Sequence, residues 1–182
     1  MSERLEVGGR VIELARGDIT AERVEMIANA ANAALAGGGG VDGAIHAAAG
    51  PEVMRELRGA YPSGTPTGTA VVTGGGALPA RWIAHAVGPI WRGGDHGEAE
   101  QLASAYRSVL ALADEHGART VAFPAISLGI YGYPAADGAR VALRTVRDHL
   151  AGATGIELVR FVLRGSIYDA FVVALSDLAS AG

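Results

Sequence analysis

The chain has 182 residues, a formal net charge of −4, no Cys and, because all 15 basic residues are Arg, no Lys. That length suits one domain that buries roughly 70% of its unfolded surface, and a hydrophobic content of 49% excludes disorder. The missing residue types exclude disulfides, thiolate nucleophiles, zinc–cysteine sites, lysine-dependent P-loops and Schiff-base chemistry.

A negative net charge without an Arg stripe disfavours general nucleic-acid binding, which needs several cationic contacts to phosphate. No apolar run approaches the ~20 residues of a membrane span. The opening MSERLEVGGR is charged and lacks the apolar core of a signal peptide. A cytoplasmic monomer, one domain over residues 1–182, is the expectation.

Val11 to Ala15 reads as the first core strand, and Arg16 to Thr20 turns the chain. Asp18 lies just past that strand; an Asp before a Thr suits a turn or cap. Met26 to Ala28 is a second buried strand. It leads into two asparagines at spacing three, Asn29 and Asn32, then four glycines, Gly37 to Gly40, then Val41 and Asp42. A short helix is predicted over Gly43 to Ala49, with Ile45 and the alanines inward.

Strand, glycine loop and helix start suit a phosphate. Glycines let backbone N–H groups approach an anion, and a helix N-terminus presents unpaired donors with a partial positive charge. The same glycines would suit a flexible linker, and Asp42 an ordinary helix N-cap. Apolar flanks on both sides weigh against the linker. A carboxylate beside a phosphate loop is repelled by the ligand, which points to a chemical role for Asp42. His46, four residues on, shares its helix face, although a lone His there also suits a structural role.

Pro51 to Ala60 is predicted as a helix with proline in its first turn. Tyr61 to Gly68 is a loop, and Ala70 to Thr73 and Trp82 to Val87 are strands. His85 falls inside the latter and reads as a core histidine with its hydrogen bonds satisfied. Trp91 to Gly97 reads as a solvated loop; Asp95, His96 and Glu98 are too loosely spaced for a metal and lack a fourth ligand. Glu98 to His116 is an amphipathic helix ended by Gly117. Thr120 to Phe123 is a buried strand, Pro134 starts a helix, and Leu158 to Leu163 is the last strand. Ser166 with Asp169 resembles a capping box before a final helix. Strands alternating with helices predict an α/β domain with a mainly parallel sheet, helices on both faces, and ligands at the carboxyl ends of the strands. Both glycine loops fall at those ends.

The second loop, Phe123 to Pro134, reads FPAISLGIYGYP. Ser127 to Tyr131 can form another amide cradle, so that the two loops would grip a diphosphate between them. Alternatively, Ala125 to Gly129 resembles the A-x-S-x-G nucleophile elbow, with Ser127 as an esterase nucleophile. The elbow needs a helix directly after the serine, and Gly129, Gly132 and Pro134 postpone it. Tyr131 suits either a core aromatic or a ligand-facing one.

GDIT at Gly17 to Thr20, NAAN at Asn29 to Asn32 and GGGGVDGAIH at Gly37 to His46 resemble the macrodomain family, and within it the MacroD-type ADP-ribosyl hydrolases. PTG at Pro66 to Gly68, LPARWIAHAVGP at Leu78 to Pro89 and FPAISLGIYGYP at Phe123 to Pro134 extend the resemblance over nearly the whole chain, in the expected order. It implies a three-layer α/β/α fold around a mixed, mainly parallel sheet of about six strands.

The resemblance also implies a ligand, ADP-ribose, and partners, ADP-ribosylated proteins. Asp18, with the Ile19 backbone, would read the adenine amino group, where a buried unpaired carboxylate penalises the wrong base. Gly38, Gly39, Gly40 and Val41 would face Ser127, Leu128, Gly129 and Ile130 across the diphosphate. Asn32, Asn29 and Tyr131 would hold the terminal ribose, an Asn offering both donor and acceptor to a diol. The implied reaction is hydrolysis of the ester between ADP-ribose and an Asp or Glu side chain, with O-acetyl-ADP-ribose as a related substrate. Asp42, Asn32 and His46 form the implied catalytic set, with no cofactor and no metal. Asp42 would orient or deprotonate water, unless the ligand's α-phosphate does so. The alternative is a reader that binds ADP-ribose without turning it over.

Two departures from the family stand out. The usual Ser-Thr-Gly is Ser127-Leu128-Gly129, which removes one hydroxyl near the phosphates, worth about 1 kcal/mol if bonded. The usual Arg after the loop-helix histidine is Ala47.

Overall fold

A computed structural model describes residues 3–182. Its strands are β1 (Arg4–Val7), β2 (Arg10–Arg16), β3 (Met26–Ala30), β4 (Ala70–Gly74), β5 (Trp82–Ala86), β6 (Thr120–Phe123) and β7 (Leu158–Leu163). They form one sheet of seven strands in the order β1-β2-β7-β6-β3-β5-β4. The middle strands β2, β7, β6, β3 and β5 run parallel. Each edge strand is antiparallel to its neighbour.

The sheet has one strand more than expected. The extra strand is β1, which alternates charged and apolar residues: Leu5 and Val7 pack on the core while Arg4 and Glu6 face out. Gly8 and Gly9, at φ 56 and 81, close the tight turn that pairs Val7 with Arg10. The central strands read as continuous apolar runs because both faces are covered; Met26, Ile27 and Ala28 are at most 1% exposed.

Helices α3 (Glu98–His116), α4 (Ala135–Ala151) and α5 (Gly165–Ser180) cover one face around Tyr106, Phe123, Phe161 and Phe171. The rings of Phe123 and Phe161 stack at 5.5 Å, and Phe171 lies 5.1 Å from Phe161. Helices α1 (Gly40–Ala49) and α2 (Pro51–Ala60) cover the other face, where Ile45, Val53 and Leu57 pack on Ile27 and Ile83. Among the described residues no helix is long and apolar enough to cross a membrane.

Two helix starts differ from expectation. Helix α1 begins at Gly40, and the extended Gly39 is its N-cap. Asp42 therefore lies inside the first turn and is not the cap. Helix α5 begins at Gly165 with Arg164 as its N-cap and no side-chain cap bond, so the Ser166–Asp169 box does not form. Gly165, at φ 54, lets the chain enter the helix ahead of Ser166.

Candidate functional site

The carboxyl ends of β2, β3, β5, β6 and β7 open into a cleft of about 530 Å³, a volume ordinary for a small-molecule site. The parallel strands all point the same way, so the loops leaving them converge on one rim.

On the β2 side, Asp18 and Ile19 line the cleft. Asp18 is exposed rather than buried, and it caps the 3-10 turn Ile19–Ala21. Its Oδ1 accepts both the amide of Thr20 at 2.9 Å and the Thr20 hydroxyl at 2.7 Å. Those two bonds, with the Arg164 guanidinium nearby, lower its pKa below the usual carboxylate value. The turn role and the cleft-facing position are therefore both realised.

In the middle, residues 38–41 face residues 127–131 across the cleft, with Leu128 turned away. The first-turn amides of α1 have no carbonyl partner within the helix. In the second loop, the amides of Gly129, Ile130 and Tyr131 donate to no backbone acceptor among the described residues. Both loops thus offer N–H groups to an anion. Leu128 is 8% exposed, with its side chain packed against Gly138 in the core. The missing family hydroxyl therefore falls on the core side of the loop and not on the cleft. Ile130 is 91% exposed. Tyr131 lines the cleft, while its neighbour Tyr133 is the buried aromatic, packed 4.7 Å from Trp91.

Ser127 holds a left-handed φ of 68, and its buried Oγ has no hydrogen-bond partner among the described residues. A serine elbow needs a base on that oxygen and a helix directly after it. Neither is present, since α4 begins only at Ala135.

At the first loop, Asn32 lines the cleft and also shapes the glycine run. Its Nδ2 donates to Gly37 O at 2.9 Å, and its Oδ1 accepts the amide of Ala36 at 3.1 Å. Each end of the amide keeps capacity for one more hydrogen bond. Asp42 is 6% exposed and lines the cleft. Its Oδ1 accepts Asn29 Nδ2 at 2.8 Å and lies 3.3 Å from His46 Nε2. Its Oδ2 faces the loop at Gly38.

Asn29 and His46 do not line the cleft. Asn29, expected beside a ribose, is fully buried and donates to Asp42. His46 sits behind Asp42 and stacks on His85 with ring centroids 5.8 Å apart. His85 is the core histidine expected: fully buried, with Nδ1 3.2 Å from Asn29 Nδ2 and Nε2 2.9 Å from Thr73 Oγ1. Burial, then the nearby His46, push its pKa down to about 3.

Glu98 is not part of a solvated loop. It is 1% exposed and accepts the amides of Arg92, Gly94 and His96 at 3.0, 2.8 and 2.6 Å. Burial opposes its charge, yet these amides hold its pKa down to about 2. The loop it organises reaches the cleft through Trp91, whose amide donates to Tyr131 O at 2.9 Å.

Sequence reading missed Arg164, Ile167 and Gly88 on the cleft wall. Arg164 Nε donates to Gly17 O at 3.2 Å, and its positive charge helps to lower the Asp18 pKa. Arg164 and Gly88 lie just past the carboxyl ends of β7 and β5, and that position is the signal that could have found them.

Comparison with known proteins adds four findings. The family model described as Macro domain matches residues 28–142. The chain is similar to a Salmonella gallinarum protein named O-acetyl-ADP-ribose deacetylase, 51% identical over 157 residues, or 83% of this chain and 86% of that one. Among solved structures it resembles the Oceanobacillus iheyensis macrodomain with ADP, at TM-score 0.92 and 39% identity over 98% of this chain and 97% of that one. It also resembles the Trypanosoma brucei macrodomain in complex with ADP-ribose, at TM-score 0.82 and 37% identity over 90% of this chain and 68% of that one.

Proposed function

The chain belongs to the Macro domain family, and from that premise we propose that its cleft binds ADP-ribose and hydrolyses the ester joining ADP-ribose to Asp or Glu side chains of modified proteins. O-acetyl-ADP-ribose is a second substrate of the same ester class. Binding is supported by the two facing loops with unspent amides and by the ADP and ADP-ribose in the similar macrodomains. Hydrolysis is supported by the relative named as a deacetylase.

One observation carries the catalytic part of the reading. Asp42 has Oδ1 tied to Asn29 and His46 from behind, while Oδ2 faces the glycine loop. A carboxylate fixed at one oxygen keeps the other for a water molecule. In the proposed step Oδ2 orients that water and accepts its proton as the water oxygen bonds to C1″ of ADP-ribose. The ester C–O bond breaks, and ADP-ribose leaves from the restored carboxylate of the target. The diphosphate, held by backbone amides, fixes the ester above Asp42. Asn32 hydrogen-bonds the terminal ribose with its remaining donor and acceptor, and Tyr131 packs beside it. His46 keeps Asp42 in place from behind and does not reach the cleft.

The test is to titrate the protein with ADP-ribose and, separately, to incubate it with a Glu-linked ADP-ribosylated protein and with O-acetyl-ADP-ribose. Saturable binding with release of ADP-ribose or acetate is expected. Binding without release from either ester would make the protein a reader.

A further inference from the structure

Behind Asp42 lies a closed polar chain that lines no part of the cleft. Asn29 on β3 and His85 on β5 are fully buried, and Thr73 on β4 is 2% exposed. A buried amide, imidazole and hydroxyl are costly unless each bond is made. The bonds here have a single consistent direction. Thr73 Oγ1 donates to Gly74 O at 3.0 Å, so toward His85 Nε2, 2.9 Å away, it accepts. The ring proton is therefore on Nε2, and Nδ1 is bare. Bare Nδ1, at 3.2 Å, accepts one hydrogen of Asn29 Nδ2, and the other goes to Asp42 Oδ1 at 2.8 Å. The reversed amide would set Asn29 Oδ1 against the carboxylate.

Among the described residues Asn29 Oδ1 has no hydrogen-bond partner. A leucine there would spare the cost of that bare acceptor. What the position needs is the donor, which among the described residues serves His85 and Asp42.

We propose that Asn29 and His85 are positioning residues for the hydrolysis, with Thr73 fixing the tautomer of His85, so that Asp42 keeps Oδ1 bound and turns Oδ2 to the cleft. This rests on the hydrolase reading above. A protonated His85 would donate from Nδ1 and turn the Asn29 amide around. The groups facing it, Asn29 from β3, Thr73 from β4 and His46 from α1, supply no anion in hydrogen-bond contact. Burial keeps the ring neutral, with its pKa down to about 3.

The experiment measures kcat and KM for ADP-ribose release from a Glu-linked protein, ADP-ribose affinity, and the ¹⁵N signals of the His85 ring. It compares wild type with Thr73→Val, Thr73→Ser and Asn29→Asp. In wild type the ring is expected to be neutral with its proton on Nε2 between about pH 5 and 8. Thr73→Val should lose that tautomer and lower kcat about tenfold, with KM and affinity unchanged, while Thr73→Ser restores both. Asn29→Asp puts two carboxylates together that cannot both ionise, and should move the acid limb of kcat up by about one pH unit or more. If Asn29→Asp does not fold, the Thr73 pair decides.

A wild-type ring protonated at Nδ1 would overturn the proposal. So would variants that fold, bind and turn over like wild type. Absence of release by wild type itself overturns the hydrolase reading and the positioning role with it, whereas release by wild type with unaltered variants overturns the positioning role alone.

Discussion

The glycine loop before α1 and the loop before α4 both leave a parallel strand at its carboxyl end, yet they reach their helices by different routes. In the first, the glycines themselves run on into α1, and helix and loop touch: a Cβ at Gly43 would lie 2.6 Å from Gly38 O. That directness puts Asp42 in the first helical turn, with a buried amide and two histidines behind it. The second loop leaves β6 at Phe123 and reaches α4 only at Ala135. It is folded on itself by turns, from Leu128 N to Ala125 O and from Gly132 N to Gly129 O, and pinned by Leu128 in the core and Trp91 on Tyr131. Residues 124–134 include no Asp, Glu, Arg or His. Both loops present amides, but only the first brings a carboxylate to the cleft. On the proposed reading the first loop performs the chemistry and the second grips the ligand.

The sharpest way to break that division is at the glycines that let each loop approach its neighbour. Gly43→Ala would press on the backbone of Gly38, which cannot yield without moving the loop. It should cost about 1–3 kcal/mol in thermal unfolding and lower binding and release together. Gly88→Ala presses instead on the second loop, where its Cβ would lie 2.2 Å from Ser127 Oγ and 2.5 Å from Ile126 Cγ2. Titration should find ADP-ribose binding weakened about tenfold while kcat at saturation is little changed. A fall in kcat alone would put chemistry on the second loop.

Acid separates the two sides. His85 is depressed from 6.5 to about 3, so on acidification the unfolded chain takes up a proton before the folded one does. Its contribution is full above pH 6.5 and fades as pH falls toward 3, by up to about 1.4 kcal/mol per pH unit. Glu98, which organises the loop bonded to the second cradle, is depressed from 4.5 to about 2 and contributes fully until pH falls below 4.5. Urea midpoints at several pH values should therefore show a slope between pH 6.5 and 4.5 that His85→Gln reduces and Glu98→Gln leaves intact. The smallest effect belongs to Ser127→Gly. It relieves a left-handed φ and should leave release within about twofold and the melting temperature equal or slightly higher. Abolished release would restore the serine-nucleophile reading.

Most of this division was legible before any coordinates. Buried strands announced themselves as apolar runs, and α2 and α3 have the bounds their proline and glycine signals suggested. Strand β1 was not legible as core because half its residues are charged, although the Gly8-Gly9 turn beside it was a hairpin signal. In the site, spacing put Asp42 and His46 on one helix face, and they are 3.3 Å apart. Spacing could not tell which asparagine of NAAN faces the cleft. The answer depends on β5 lying beside β3 with His85 opposite Asn29, a long-range pairing that buries the first Asn and leaves the second at the rim. The core-facing side chain of Leu128 is equally non-local, since Gly138 on α4 makes room for it.

The most direct test of the account is release of ADP-ribose from a Glu-linked ADP-ribosylated protein by wild type and Asp42→Ala, with ADP-ribose affinity measured on the same preparations. The account predicts release that falls about a hundredfold or more in the variant while affinity stays within a few-fold. Equal release by the two proteins, at equal affinity, would contradict it and take the chemistry away from the first loop.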